Sequence, residues 1–133
     1  MITFGLNEHS FGTMNPTYSF DNIPIYGAIN LSFGSHFVGQ IAETTMSQLL
    51  DASPEGPLRL NTQGPDVATA ADRTSIVLGG IVQGMATDAH FTTPIAFLFD
   101  KPVAAVCFDA GSFDHENTVV FEPFDSDGNS LES

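Results

Sequence analysis

The predicted fold rests on residues 91–129, FTTPIAFLFDKPVAAVCFDAGSFDHENTVVFEPFDSDGN, which hold three runs with strand character separated by turns. Residues 95–100 alternate with the period of two that places successive side chains on opposite faces of a strand. Residues 103–109 are apolar on both faces except for the terminal aspartate, which predicts a central strand covered on both sides. Residues 118–124 form the third run, and the Asp127-Gly128 pair after it suits a tight turn with positive φ.

The N-terminal part of the chain adds two predicted strands. Residues 1–6 predict a short opening strand, and residues 7–17 predict a loop because they contain glycine, asparagine and proline. Ile29, Leu31 and Phe33 then alternate with polar residues. This alternation predicts a strand with one buried and one solvated face.

The middle of the chain is more mixed. Residues 41–52 have the one helical pattern in the sequence and predict a short helix. Residues 54–71 are rich in proline, glycine, asparagine and aspartate and predict mainly loop. Residues 74–85 form two apolar pieces split by Gly79-Gly80, which predicts either a hairpin or one strand with a glycine bulge.

Composition indicates a single all-β domain. The 133 residues are the length of one domain, and no repeat or linker divides them. Twelve Phe, twelve Gly and eight Pro, with no Trp, favour many short strands and tight turns over helices. The prediction is one antiparallel β-sandwich over residues 1–133 with at most one short helix.

The charge of the chain excludes some partners. Three basic residues stand against sixteen acidic ones, which gives a formal net charge of −13. Such a surface repels nucleic acid and anionic membranes, whereas divalent cations and cationic surfaces are compatible with it. No apolar run approaches the length that spans a bilayer, so no membrane insertion is predicted. Cys107 is the single cysteine and is predicted to be a small buried filler.

Acidic residues are the best candidates for chemistry, because calcium takes carboxylate and carbonyl oxygens from flexible loops. The candidate calcium ligands are Asp21, Asp109, Asp114, Asp125 and Asp127. Asp125, Asp127 and Asn129 have the alternate spacing that opens a calcium loop, but Ser130 stands where a helix-loop-helix site needs glycine. The remaining metal interpretation is a sandwich-type site that Asp21 joins, and the alternative is a solvated turn.

Aromatic residues in the N-terminal part offer a second kind of site. Tyr18, Tyr26 and Phe37 are candidates for an aromatic platform on which a sugar ring stacks. The competing interpretation places these rings in the core of the domain, because phenylalanine is usually buried and the chain has no tryptophan.

The motifs of common enzymes are absent from the sequence. The four histidines, His9, His36, His90 and His115, are scattered without the spacing of zinc ligands. Ser35-His36 and His115-Glu116 have hydrolytic residue types but no nucleophile elbow, and no phosphate loop or dinucleotide fingerprint occurs. The prediction is a protein that is not an enzyme, with a glycan-active hydrolase as an alternative because sites also assemble from distant residues.

Two segments carry a resemblance to a known family. Residues 94–114, PIAFLFDKPVAAVCFDAGSFD, and residues 119–131, VVFEPFDSDGNSL, resemble jelly-roll β-sandwich modules of exported bacterial proteins, including those with PEP-CTERM sorting signals. Those modules commonly read as an apolar strand, a Pro-Val step, an "AVGFD" strand and a "YDADGN-L" turn. Cys107 and Pro123 depart from this pattern, since the family tends to have glycine and a small or strand-forming residue there.

The resemblance implies a jelly-roll fold and a mostly non-catalytic role in an extracellular, cell-surface or virion setting. Such modules usually continue with further strands after the Asp-Gly turn, so the last strand here is expected to lack its adjacent partner. Unpaired strand edges are readily completed by another chain. The hypothesis is therefore a module for assembly or adhesion, with other protein chains or copies of itself as partners. The alternative is a calcium-dependent carbohydrate-binding module with a glycan as its ligand.

Overall fold

The computed structural model describes residues 8–10, 12–43, 48–51, 53–63, 66–72, 75–81, 94–108 and 120–131. The strands are β1 (Thr17–Ile23), β2 (Gly27–Gly34), β3 (Ile41–Glu43), β4 (Gln48–Asp51), β5 (Asp66–Asp72), β6 (Ser75–Ile81) and β7 (Ala96–Phe99). These residues contain strands and no α-helix, which confirms the all-β prediction for this part of the chain. Across the same residues, no helix is long and apolar enough to cross a membrane.

Strands β1, β2 and β7 form an antiparallel sheet in the order β1-β2-β7. The alternation predicted for β2 is confirmed, because Ile29, Leu31 and Phe33 are buried on one face. Phe33 lies opposite Phe97 of β7. Residues 96–99 of the first run in the C-terminal stretch therefore form the expected strand.

The core lies on the aromatic face of this sheet. Tyr18, Leu31 and Phe33 form its buried centre, and the partly buried Phe20, Phe97 and Phe99 pack against them. The rings of Tyr18 and Phe33 meet edge to face, with centroids 5.9 Å apart. Such pairs add to the free energy gained from apolar burial. The row of aromatic rings from Tyr18 on β1 through Phe33 on β2 to Phe97 on β7 therefore stabilises the packing of the three strands.

The opposite face of the sheet is polar. Ser19 Oγ donates to Asn30 Oδ1 at 2.7 Å, and the Thr17 and Ser32 hydroxyl oxygens are 3.1 Å apart. Asn30 also donates to Asp100, from its backbone N–H at 2.8 Å and from its amide at 2.7 Å. These bonds lower the pKa of the Asp100 carboxyl. The two faces of the sheet thus differ sharply in polarity.

A second sheet is built on the β5–β6 hairpin. The segment of residues 12–15 lies against β5, where Gly12 N–H donates to the Thr69 carbonyl at 2.8 Å and Thr69 N–H donates to the Thr13 carbonyl at 3.0 Å. The next residue, Pro16, accepts a hydrogen bond from Phe33 N–H at 3.0 Å. The chain therefore passes directly from the edge of the second sheet to β1 of the first.

The helix predicted over residues 41–52 is wrong. This region contains β3 and β4, which pair in antiparallel fashion with Ala42 opposite Leu49. A short apolar pattern does not by itself separate a helix from a strand.

The central strand predicted over residues 103–109 is also wrong for the described residues 103–108. They belong to no strand, and Val103, Val106 and Phe108 are 42%, 41% and 52% exposed. The predicted burial of Cys107 fails with it, because this thiol is exposed. An apolar run is buried only where other elements cover it, and a local pattern contains no information about them.

The third predicted run and the middle of the chain need smaller corrections. Residues 120–123 are outside any strand, and Phe124 makes one bridge to Ser130. β5 occupies residues that were predicted to be mainly loop. β6 runs through both Gly79 and Gly80 as a single strand paired with β5, so these two glycines do not form a hairpin turn. The predicted opening strand over residues 1–6 lies outside the described residues.

Candidate functional site

Among the described strands, β7 lies at one edge of the three-stranded sheet and β1 at the other, and the hydrogen bonds of β7 show which of its peptide groups face outward. Asp100 N–H donates to the Asn30 carbonyl at 3.0 Å, just beyond the end of β7. Bonded and non-bonded pairs alternate in an antiparallel ladder, so every second residue counted back from Asp100 bonds to β2. The peptide groups of Phe97 and Phe99 fall between these and point away from β2.

The outer edge of β7 has no strand beside it in the described part of the chain. No backbone hydrogen bond reaches Phe97 or Phe99 from that side among the same residues. An edge of this kind presents a row of donors and acceptors that pairs readily with another strand. The edge is therefore the first candidate for an interaction site.

Contacts between aromatic rings connect the core to β7 and to the surface. The Phe97 ring lies 6.0 Å from Phe33 in the core and stacks on Phe121 at 6.1 Å with an interplanar angle of 18°. Phe108 lies 6.2 Å from Phe97 and 5.4 Å from Phe121. Phe108 and Phe121 are 52% and 44% exposed, so the aromatic row ends at the surface.

We call the outer edge of β7 together with Phe108, Val120 and Phe121 the edge patch. Val120, which precedes Phe121 in the chain, is 77% exposed. Apolar residues exposed singly are normal, whereas an exposed cluster marks an interaction surface. The edge patch combines such a cluster with backbone groups that have no partner among the described residues.

The turn over residues 125–129 contains two of the predicted calcium ligands. Asp125 Oδ1 accepts hydrogen bonds from the backbone N–H groups of Asp127 and Asn129, both at 2.9 Å, and Oδ2 accepts from the Asn129 amide at 2.9 Å. These bonds, led by the one from the Asn129 side chain, lower the pKa of Asp125. Gly128 has φ of +83°, which confirms the predicted Asp-Gly turn. Asp125 thus stabilises the turn through its own carboxylate.

Of the other candidate ligands, the structure describes only Asp21. Asp21 is exposed on β1 opposite Ala28, and Asp109 and Asp114 lie outside the described residues. Within the described ranges, no group of three or more His, Cys, Asp or Glu side chains is placed to hold a metal ion. Calcium binding through these aspartates stays a prediction.

The turn has a packing role against residues 54–58. Leu58 N–H donates to the Ser126 carbonyl at 2.9 Å, and Gly56 packs so closely against the Asp127 carbonyl that a side chain would not fit. On its other side this loop bonds to Val38, whose carbonyl accepts from Glu55 N–H at 2.7 Å. The acidic turn is therefore held in place by glycine contacts and backbone bonds.

The three residues of the predicted aromatic platform do not share a surface. Tyr18 is 1% exposed and Phe37 is 8% exposed, whereas Tyr26, in the β1–β2 turn, is 42% exposed. The core interpretation is confirmed for Tyr18 and Phe37, and a sugar ring has no access to such buried rings. Burial, and to a lesser extent the Glu8 carboxylate, raise the pKa of the Tyr18 hydroxyl.

A buried Ser-His-Asn chain of hydrogen bonds lies beside Phe37. Ser35 Oγ is 2.6 Å from His36 Nδ1, and Asn61 Nδ2 is 2.7 Å from His36 Nε2. Asn61 Oδ1 accepts from Gln63 N–H at 2.9 Å, which fixes the orientation of the amide. The Asn61 NH₂ group therefore donates to Nε2, so the imidazole proton is on Nδ1 and is donated to Ser35 Oγ.

The proton on Nδ1 determines whether the Ser35-His36-Asn61 network can act in catalysis. A general base must accept the proton of the serine, but here His36 donates to Ser35. Ser35 is 1% exposed, so a substrate has no access to its oxygen. Burial also lowers the pKa of His36. The arrangement is that of a satisfied buried network and not of a catalytic one.

Sequence reasoning missed two features of this structure. The Asn61 partner of His36 is 25 positions away and follows from the pairing of Phe37 with Leu60, which no local pattern predicts. The exposed ring of Phe108 was assigned to a buried strand. The open edge predicted from the sequence was that of the last strand, residues 118–124, and the described residues 120–124 form no strand, so no sequence signal pointed to the edge of β7.

Comparison with known proteins adds no relative. The chain matches no protein-family model, and no curated protein or solved structure is significantly similar to it.

Proposed function

We propose that this protein is a non-catalytic recognition module that binds other protein chains through the edge patch. It acts in assembly or adhesion at a bacterial surface or virion. The overall architecture in this proposal is the antiparallel β-sandwich of jelly-roll type that the sequence predicts.

The observation that carries the proposal is a strand edge that is unpaired within the described part of the chain and lies next to exposed aromatic rings. The peptide groups of Phe97 and Phe99 face away from β2, and Phe108 and Phe121 lie beside them at the surface. In strand addition, backbone hydrogen bonds supply affinity and side-chain contacts supply specificity. The edge patch offers both kinds of contact within one short strand.

A hydrolytic function has no comparable support. The buried Ser35 is hydrogen-bonded to a histidine that donates to it, so the pair lacks the base that acyl transfer needs. The proposal is therefore a binding protein and not an enzyme.

The test uses a synthetic peptide of alternating valine and serine, which is neutral and forms strands. Titration into isotopically labelled protein should shift the backbone amide resonances of Phe97 and Phe99 more than those of β1. The same peptide with proline at its centre is the matched control, because proline removes a backbone donor. The proline peptide should give smaller shifts.

Two protein variants distinguish binding at the edge patch from nonspecific binding elsewhere on the surface. Val120→Lys places a charge within the edge patch. Ile25→Lys places a charge in the β1–β2 turn, where the Ile25 side chain is 99% exposed. The first should weaken the peptide shifts and the second should leave them unchanged. Shifts that spread over the whole surface, or that persist in the Val120 variant, would refute docking at this edge.

A further inference from the structure

We infer that the partner at the edge patch is an extended segment of a different chain in which apolar residues alternate with basic ones. This inference rests on the proposed function and adds the chemical class of the partner. It follows from the polarity of the two faces of β7 and from the charges that surround them.

The two faces of β7 require an alternating partner. Phe97 and Phe99 lie on the aromatic face, packed against the core. Leu98 points to the other face, where Ser32 is its cross-strand neighbour and the Asp100 carboxylate lies at the end of the strand. A strand added beside β7 continues both faces of the sheet. Its side chains must therefore be apolar on one face and polar on the other.

The charges near the edge patch favour a basic partner. The charged residues next to the edge patch in the chain include Asp100 and Glu122, which are acidic, and Lys101, which is basic. The whole chain has the same bias, with sixteen acidic and three basic residues. Complementary potential steers a partner to its surface and suppresses partners of the same sign.

The same charge argues against a second copy as the occupant. Two copies that paired along β7 would bring together two surfaces that each belong to a chain with a formal charge of −13. Like charges placed face to face oppose association. The ladder along β7 is also short, since the strand has four residues and offers the outward peptide groups of Phe97 and Phe99. Ion pairs at its rim therefore matter for selectivity.

The experiment compares three synthetic peptides of equal length in which valine alternates with lysine, serine or glutamate. Calorimetric titration of each peptide into the protein gives its dissociation constant at low and high salt. The lysine peptide should bind about tenfold more tightly than the serine peptide, which is the effect of two or three surface ion pairs. The glutamate peptide should bind most weakly, and the differences should shrink at high salt because salt screens exposed charges.

Variants tie the binding to the edge patch. Phe121→Ser removes a ring that stacks on Phe97, and Val120→Glu changes a more exposed residue without touching that stack. Phe121→Ser should weaken binding of the lysine peptide. Val120→Glu should weaken binding of the serine peptide more than binding of the lysine peptide. Ile25→Ser is the matched control and should change neither. Loss of folding in the Phe121 variant leaves the Val120 variant as the deciding measurement.

The outcomes separate this inference from the proposed function. Equal binding of the lysine and serine peptides at all salt concentrations would overturn the basic partner and leave strand docking intact. Binding of no peptide would overturn both the inference and strand docking at this edge, because the serine peptide is the one that tests the proposed function. A doubling of the mass in light scattering at high salt, abolished by Val120→Glu, would show a second copy in place of the basic partner.

Discussion

Acidification from about pH 7 to about pH 5 should destabilise the protein through the buried His36 imidazole. His36 donates from Nδ1 to Ser35 Oγ and accepts at Nε2 from the Asn61 NH₂ group. A second proton on the ring would place two donors opposite each other in a buried site. The folded state therefore disfavours the charged imidazole, and burial lowers its pKa from the ordinary value of 6.5.

The sign and size of the effect follow from proton linkage. Below pH 6.5 the unfolded chain takes up a proton on His36, whereas the folded chain does not until its own lower pKa is reached. The free energy of unfolding therefore falls as the pH falls through this window. One proton gives a slope of at most about 1.4 kcal/mol per pH unit. Domains of this size have a total stability of roughly 5–15 kcal/mol, so the loss is easily measured.

The assay is urea unfolding at a series of pH values for the wild type and for His36→Gln, which has no titrating ring. The wild type should lose stability below pH 6.5 relative to this variant. His9→Gln is the matched control, because it removes a histidine and leaves the Ser35-His36-Asn61 network intact. Asp100 and Asp125 have lowered pKa values, so stability from their charged forms is lost at pH values below 3.8, outside this window. Parallel pH profiles of the wild type and His36→Gln would refute the reasoning.

Three further predictions concern packing and backbone strain, and urea unfolding checks each of them. Gly56→Ala should lower the free energy of unfolding by about 3 kcal/mol or more, because its Cβ would overlap the Asp127 carbonyl. Gly27→Ala has open space around its Cβ and should lower it by only about 1 kcal/mol, because of the φ of +75°. Equal losses in the two variants would contradict the packing argument. Ile25→Gly should stabilise the β1–β2 turn by up to about 1 kcal/mol, because a β-branched residue is strained at φ of +77°, and a loss of stability would show that this strain is absent. Leu31→Ala should cost about 2–5 kcal/mol because the side chain is 2% exposed, and a cost below about 1 kcal/mol would place it outside the core.

Sequence reasoning succeeded where a structure depends on neighbours along the chain. The alternation of Ile29, Leu31 and Phe33 predicted the buried face of β2, because a strand places every second side chain on the same side. The Asp127-Gly128 pair predicted the C-terminal turn, because glycine adopts positive φ at little cost. It failed for residues 103–108, whose apolar pattern was read as a covered strand.

The sequence by itself determined the strand-rich class, the main buried alternation, the tight turn and the strongly acidic surface, since each depends on composition or on spacing over a few residues. The tertiary structure decided which apolar residues are covered, because burial depends on segments that are distant in sequence. It left Phe108 and Phe121 exposed beside β7 and placed Tyr18 in the core. It also paired His36 with Asn61, and this long-range contact fixed the tautomer and made the serine a hydrogen-bond acceptor. The edge patch and the Ser35-His36-Asn61 network both depend on pairing between strands, and local sequence patterns do not specify that pairing.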